Sequence, residues 1–83
     1  MTIDELIDIG FVKHYINNND YYYLYYFTYY NEGDSIIIST PPNSKIKNNN
    51  WIAKSSCSKI LETSSEVRDY ISQTLHDLYP DGY

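Results

Sequence analysis

Cysteine, glycine and basic residues are scarce in this chain, and long apolar runs are missing altogether. Cys57 is the only cysteine among 83 residues, so no intrachain disulfide and no cysteine-based metal cluster can form. It reads as a small buried residue in a protein kept in a reducing cytosol. The three glycines, Gly10, Gly33 and Gly82, stand apart from one another, which leaves no glycine-rich phosphate loop and no nucleophile elbow. Six bases face eleven acids for a net charge of −5. Direct nucleic-acid binding is disfavoured, since it depends on Lys and Arg neutralising phosphates. The most apolar stretch, residues 21–30, is mostly tyrosine and falls well short of the roughly 20 residues that a spanning helix needs. Asp4, Glu5 and Asp8 occupy the start of the chain where an export signal would carry Lys or Arg, so a cytoplasmic location is expected. His14, His76, Asp77 and Cys57 can be assembled into a Cys/His pair only on paper, because no spacing requires it. The sequence therefore predicts a non-enzyme with no cofactor and no metal.

What is present organises into one domain over residues 1–83, the most that a chain of this length can support with a single core. Thr2 and Glu5 have the spacing of a capping box, and Ile3, Leu6 and Ile7 follow on one helical stripe. Gly10 is positioned to cap that helix after about Ile9; the competing reading continues it through His14. Residues 11–16 otherwise read as a strand leading into the turn-forming run Asn17 to Asp20. Tyr21 to Tyr30 is the strongest strand signal, with eight aromatics in ten positions. Asn31 to Asp34 predicts a hairpin loop, and Ser35 to Thr40 the returning strand, stopped by Pro41 and Pro42. An asparagine-rich loop over Asn43 to Asn50 precedes a fourth candidate strand, Trp51 to about Cys57. A second capping box, Thr63 with Glu66, opens a helix whose apolar stripe is Val67, Ile71, Leu75 and Leu78. Pro80 and Gly82 end it near Tyr79. The expected fold is α+β, a two-layer sandwich in which an antiparallel meander of three or four strands is flanked by a short N-terminal helix and a longer C-terminal one.

Two features point to recognition. Strand alternation puts Tyr21, Tyr23, Tyr25, Phe27 and Tyr29 on one face and Tyr22, Leu24, Tyr26, Thr28 and Tyr30 on the other. A two-layer fold covers only one face, so several tyrosines should remain available to a partner, for which a large ring with a polar tip and little rotamer entropy is well suited. Composition does not decide which face is covered. The second feature is the helical spacing of Glu66, Asp69, Gln73 and Asp77, an acidic stripe opposite the apolar one, with Arg68 off it. Charge is also segmented: residues 1–34 sum to −5, 35–61 to +4 and 62–83 to −4. The partner-binding candidates are thus Glu66, Asp69, Asp77, Tyr21, Tyr23, Tyr25, Tyr29, Glu32 and Asp34, and the expected partner is a basic protein.

The start Met1-Thr2-Ile3-Asp4-Glu5-Leu6-Ile7, the hairpin-rich middle and the acidic last helix together resemble the small phage-encoded inhibitors of bacterial defence, in particular anti-CRISPR proteins. The wealth of Ile, Asn, Tyr and Lys also fits an AT-rich phage genome. The resemblance implies a protein that acts in the host cytoplasm by occluding a nuclease complex or a nucleic-acid groove. It rests on size, acidity and element order, so it transfers no site residues. Two further readings stand beside it: an immunity protein that neutralises a bacterial toxin, and a tyrosine-lined module that associates with a second copy of itself.

Overall fold

The computed structural model describes residues 1–28 and 35–78. Helix α1 covers Ile3–Ile9 and begins with the expected reciprocal cap: the Glu5 amide donates to Thr2 Oγ1 at 3.2 Å, and the Thr2 amide to Glu5 Oε1 at 2.9 Å. At φ 122° Gly10 takes a backbone conformation that a side chain disfavours, and its amide donates to the carbonyls of Leu6 and Ile7. A Cβ there would also lie 3.4 Å from the Tyr25 ring. The helix stops here, which settles the alternative of a continuation through His14. Phe11 turns into the core, and the first strand starts one residue later than expected, at Val12.

The sheet has five antiparallel strands in the order β1-β2-β3-β4-β5: β1 Val12–Asn17, β2 Asp20–Thr28, β3 Ser35–Ser39, β4 Ala53–Ser55 and β5 Ile60–Leu61. The expectation of three or four strands is corrected to five. The addition is β5, whose two residues are too few to show an alternating pattern. β4 is shorter than the expected span from Trp51 to Cys57 because both ends are otherwise engaged. The Trp51 backbone pairs with Met1, its amide donating to the Met1 carbonyl at 2.8 Å and its carbonyl accepting from the Met1 amine at 2.6 Å. Ser56 and Cys57 belong to the turn into β5, where Ser58 adopts φ 67°. Cys57 is consequently exposed, contrary to the buried position expected of it, since a tight turn offers no interior to enter. Tyr29, Tyr30 and the predicted hairpin loop Asn31 to Asp34 lie outside the described residues.

The asparagine-rich segment holds a short 3₁₀ turn, Asn43–Lys45, and two residues with φ 56°, Asn48 and Asn49. Asparagine tolerates that region better than most residues. Asp20 anchors the segment to β2, accepting from the Ser44 amide at 3.0 Å and the Ser44 hydroxyl at 2.7 Å. Where β3 ends, Thr40 replaces a strand partner. Its amide donates to the Tyr23 carbonyl at 3.0 Å and its Oγ1 accepts from the Tyr23 amide at 2.9 Å.

Helix α2, Ser64–Leu78, opens with the Glu66 amide donating to Thr63 Oγ1 at 3.1 Å. Val67 is fully buried, and Tyr70, Ile71 and Leu75 pack against the core as the helical period predicts. The expected end near Tyr79 lies outside the described residues. Both helices lie on one face of the sheet, meeting Tyr23, Ile36, Ile38, Ala53 and Leu61 around Trp51. This is the expected two-layer α+β sandwich. The helices stop short of β1, whose six residues are all exposed. The β1–β2 hairpin therefore projects past them, and the molecule measures 43 × 24 × 22 Å.

Candidate functional site

Strand pairing decides which tyrosines face where. Lys13 pairs with Tyr23, Tyr25 with Ile38, Phe27 with Ile36 and Ile38 with Ser55, so these side chains share the inner face, beneath the helices. Tyr23 is only 3% exposed, and Tyr21 and Tyr25 pack against the core. Of the three tyrosines expected at a partner-binding surface, Tyr23 is thus withdrawn into the core and Tyr21 and Tyr25 are partly exposed. Trp51 stands edge-on to Tyr23 at 5.1 Å between ring centroids and stacks on Tyr21 at 6.1 Å. Burial of these rings supplies the interior that a small chain otherwise lacks. Burial also raises the Tyr23 phenol above its ordinary pKa. One buried side-chain nitrogen or oxygen among the described residues has no hydrogen-bond partner, the Trp51 indole Nε1. At the projecting hairpin the inner face is open, and the Lys13 ammonium sits 4.1 Å from the Tyr21 ring centroid and 5.3 Å from that of Tyr15, within cation–π range.

The outer face is built by the alternate residues. One row crosses all five strands, Val12–Leu24–Ser39–Lys54–Ile60, and beside it lie the pairs Tyr26–Ile37 and His14–Tyr22. His14 stacks on Tyr22 at 5.5 Å and 21°. No described element covers this face. Val12 and Tyr26 are each 60% exposed, Ile60 46% and Ile37 38%. Sequence reasoning passed over this patch because both faces of β2 are aromatic. The usable signal was Lys54, a charge flanked by two residues that the fold buries.

The acidic candidates Glu66, Asp69 and Asp77 are all exposed on α2. Gln73 donates to Asp77 at 2.9 Å, which joins the stripe's C-terminal half. Arg68, as expected, is off the stripe; it donates to Asp8 of α1 at 2.8 Å, the one ion pair among the described residues. Between the stripe and β5 runs a shallow depression of about 810 Å³, lined in part by Lys59, Tyr70, Gln73 and Asp77. The two helices together carry Asp4, Glu5, Asp8, Glu66, Asp69 and Asp77 against Arg68 alone. The described strands and loops carry five lysines against Asp20 and Glu62. The Thr2 amide, aided by Ser64, holds the Glu5 carboxyl below its ordinary pKa, and Ser44 does the same for Asp20. The candidate residues are not brought together: the acids lie on the outside of the helix layer and Tyr21, Tyr23 and Tyr25 beneath it, while Tyr29, Glu32 and Asp34 fall outside the described residues.

Among the described residues no group of three His, Cys, Asp or Glu side chains is placed to hold a metal ion, and no helix is long and apolar enough to cross a membrane. His14, Cys57 and His76 sit on β1, the β4–β5 turn and α2. Comparison of the chain with family models, curated proteins and solved structures gives no match.

Proposed function

We propose that this chain is a non-enzymatic, cytoplasmic inhibitor that binds a basic nuclease or nucleic-acid-binding protein and occludes its groove, as an anti-CRISPR-type anti-defence protein does. The observation that carries this reading is the charge of the helix layer, six carboxylates against one guanidinium already engaged by Asp8. A solvated anionic face of that kind offers a basic groove the charge it would otherwise take from phosphate, and it speeds encounter as well as selecting the partner. Of the tyrosines first expected to share the work, Tyr23 is buried and Tyr21 and Tyr25 pack against the core, so the reading rests on the acids. An immunity protein that caps a basic toxin would use the same surface.

The test is a titration against RNA-guided nuclease complexes and basic bacterial nuclease toxins, read by cleavage of labelled DNA or RNA. Inhibition should appear with one of these classes. It should weaken at least about tenfold in the double variant Glu66→Lys/Asp69→Lys and fall further as salt rises, because exposed charges are screened within about 8 Å at physiological ionic strength. A variant that folds by circular dichroism and inhibits with unchanged affinity and salt dependence would overturn the reading.

A further inference from the structure

We infer that the projecting end of the β1–β2 hairpin binds single-stranded nucleic acid, with Tyr15 stacking on a base and Lys13, Lys45 and Lys47 taking the phosphates. A net charge of −5 argues against such a ligand only where charge is evenly spread, and here it is not. The acids ride mainly on the helices, which stop short of β1. Over residues 10–61 the described part of the chain carries five lysines against Asp20 alone, and Ser44 already engages the Asp20 carboxylate through its amide and its hydroxyl. Exposed charges are screened within about 8 Å at physiological ionic strength, so a phosphate at the hairpin meets the local excess of lysines and not the distant helix layer.

A stacking platform also needs a ring beside the cation. β2 holds the rings and no base, and strand pairing supplies the base from β1. Lys13 and Tyr15 share a face of β1, and the register sets Tyr15 opposite Tyr21. The Lys13 ammonium therefore lies close to both rings, which meet edge-on at 6.2 Å. Tyr21 is fixed in turn by its stack on Trp51. Tyr15, 69% exposed, leaves most of its ring to solvent while its neighbours hold it in place. Ring and ammonium are thus positioned before a ligand arrives.

The remaining lysines come from the other edge of β2. Beyond β3, Thr40 pairs with Tyr23 and Ser44 with Asp20, so the 3₁₀ turn runs beside the first half of β2, across that strand from β1. Lys45 and Lys47 stand exposed there. A single strand offers both chemistries in each nucleotide, an unpaired base with an open π-face and a phosphate next to it. A duplex offers phosphates but hides its base faces, and an acidic peptide satisfies the lysines and leaves the ring idle.

The inference does not depend on the acidic-face reading and is tested on the protein alone. Fluorescein-labelled oligo(dT) and oligo(U) of about 12 nucleotides, titrated in about 50 mM salt and followed by anisotropy, should half-saturate below about 100 μM protein. With three phosphate contacts the logarithm of affinity should fall against the logarithm of salt with a slope of about −2. Tyr15→Ala should weaken binding at least about fivefold, whereas Tyr15→Phe keeps the ring and should bind as the wild type does. Lys13→Gln should flatten the slope by about 0.7. Lys54→Gln, which removes the same charge from the outer face, should leave affinity within about twofold. All these side chains are exposed, and circular dichroism checks that each variant folds. No binding by the wild type at about 100 μM overturns the inference. So does unchanged affinity in Tyr15→Ala, a dT·dA duplex or an oligoglutamate peptide bound as tightly as the single strand, or a loss in Lys54→Gln equal to that in Lys13→Gln.

Discussion

Strand β2 puts Tyr21, Tyr23, Tyr25 and Phe27 on one face and Tyr22, Leu24, Tyr26 and Thr28 on the other, and the two sets differ little in hydrophobicity. Their fates differ greatly: Tyr23 is 3% exposed and Tyr26 60%. The difference comes from the strands beside β2. Pairing sets Tyr25 and Phe27 beside Ile38 and Ile36, and it links Leu24 through Ser39 to Lys54. A buried, unpaired ammonium would be prohibitively costly, so the row containing Lys54 faces out and the whole sheet follows. An ambiguous strand is oriented by its unambiguous neighbours.

The sharpest way to break the comparison is to truncate one ring on each side. Tyr23→Ala removes a ring packed against Trp51 and should cost about 3–5 kcal/mol, close to the whole stability of a domain this small. Tyr26→Ala should change the stability by no more than about 0.5 kcal/mol. Urea denaturation measures both. Equal losses would mean that the outer ring is as much a part of the interior as the inner one.

The same asymmetry marks what could be read from the residues alone. Both helices and their caps were legible, because Thr2-x-x-Glu5 and Thr63-x-x-Glu66 satisfy backbone groups locally and the stripe Val67, Ile71, Leu75 needs no distant partner. The long strands and the acidic stripe were legible for the same reason. The facing of β2 was not, since it depends on register with β3 and β4, a non-local property. β5 was not either, as its two residues are held by pairing with Ala53 and Lys54 and not by any pattern of their own. Cys57 was misplaced because burial statistics describe a residue type, whereas exposure here is set by a turn.

A smaller effect probes how the inner ring is held. Thr40 Oγ1 accepts from the buried Tyr23 amide at 2.9 Å, the point at which β3 gives way to Pro41 and can no longer supply a ladder carbonyl. Thr40→Val keeps the shape and deletes the acceptor, leaving a buried N–H without a partner at a cost of about 1–3 kcal/mol. Thr40→Ser keeps the hydroxyl and should recover most of that loss. If valine is tolerated and serine is the destabilising change in denaturation, the hydroxyl is incidental and the methyl group does the holding.

The mildest test compares the helix layer with the far side of the sheet through protonation. Glu5 at the start of α1 and Asp20 at the start of β2 both accept hydrogen bonds as carboxylates, and both have folded-state pKa values below the ordinary 4.5 and 3.8. A carboxyl depressed on folding contributes stability that is fully present above its unfolded value and is lost as pH falls through the folded one. The urea midpoint should therefore decline progressively below about pH 5 as both carboxyls protonate. Glu5 is exposed and Asp20 only partly covered, so each contribution is small. Glu5→Gln and Asp20→Asn should each remove part of the decline, each variant starting from a lower midpoint at neutral pH because a neutral amide replaces the charged acceptor. Ser44→Ala separates cause from charge: it leaves Asp20 ionisable but deletes the hydroxyl that depresses it, and should shift the Asp20 share of the decline toward higher pH. A midpoint that falls identically in the wild type and all three variants would assign the acid sensitivity to general charge imbalance and not to these two anchored carboxylates.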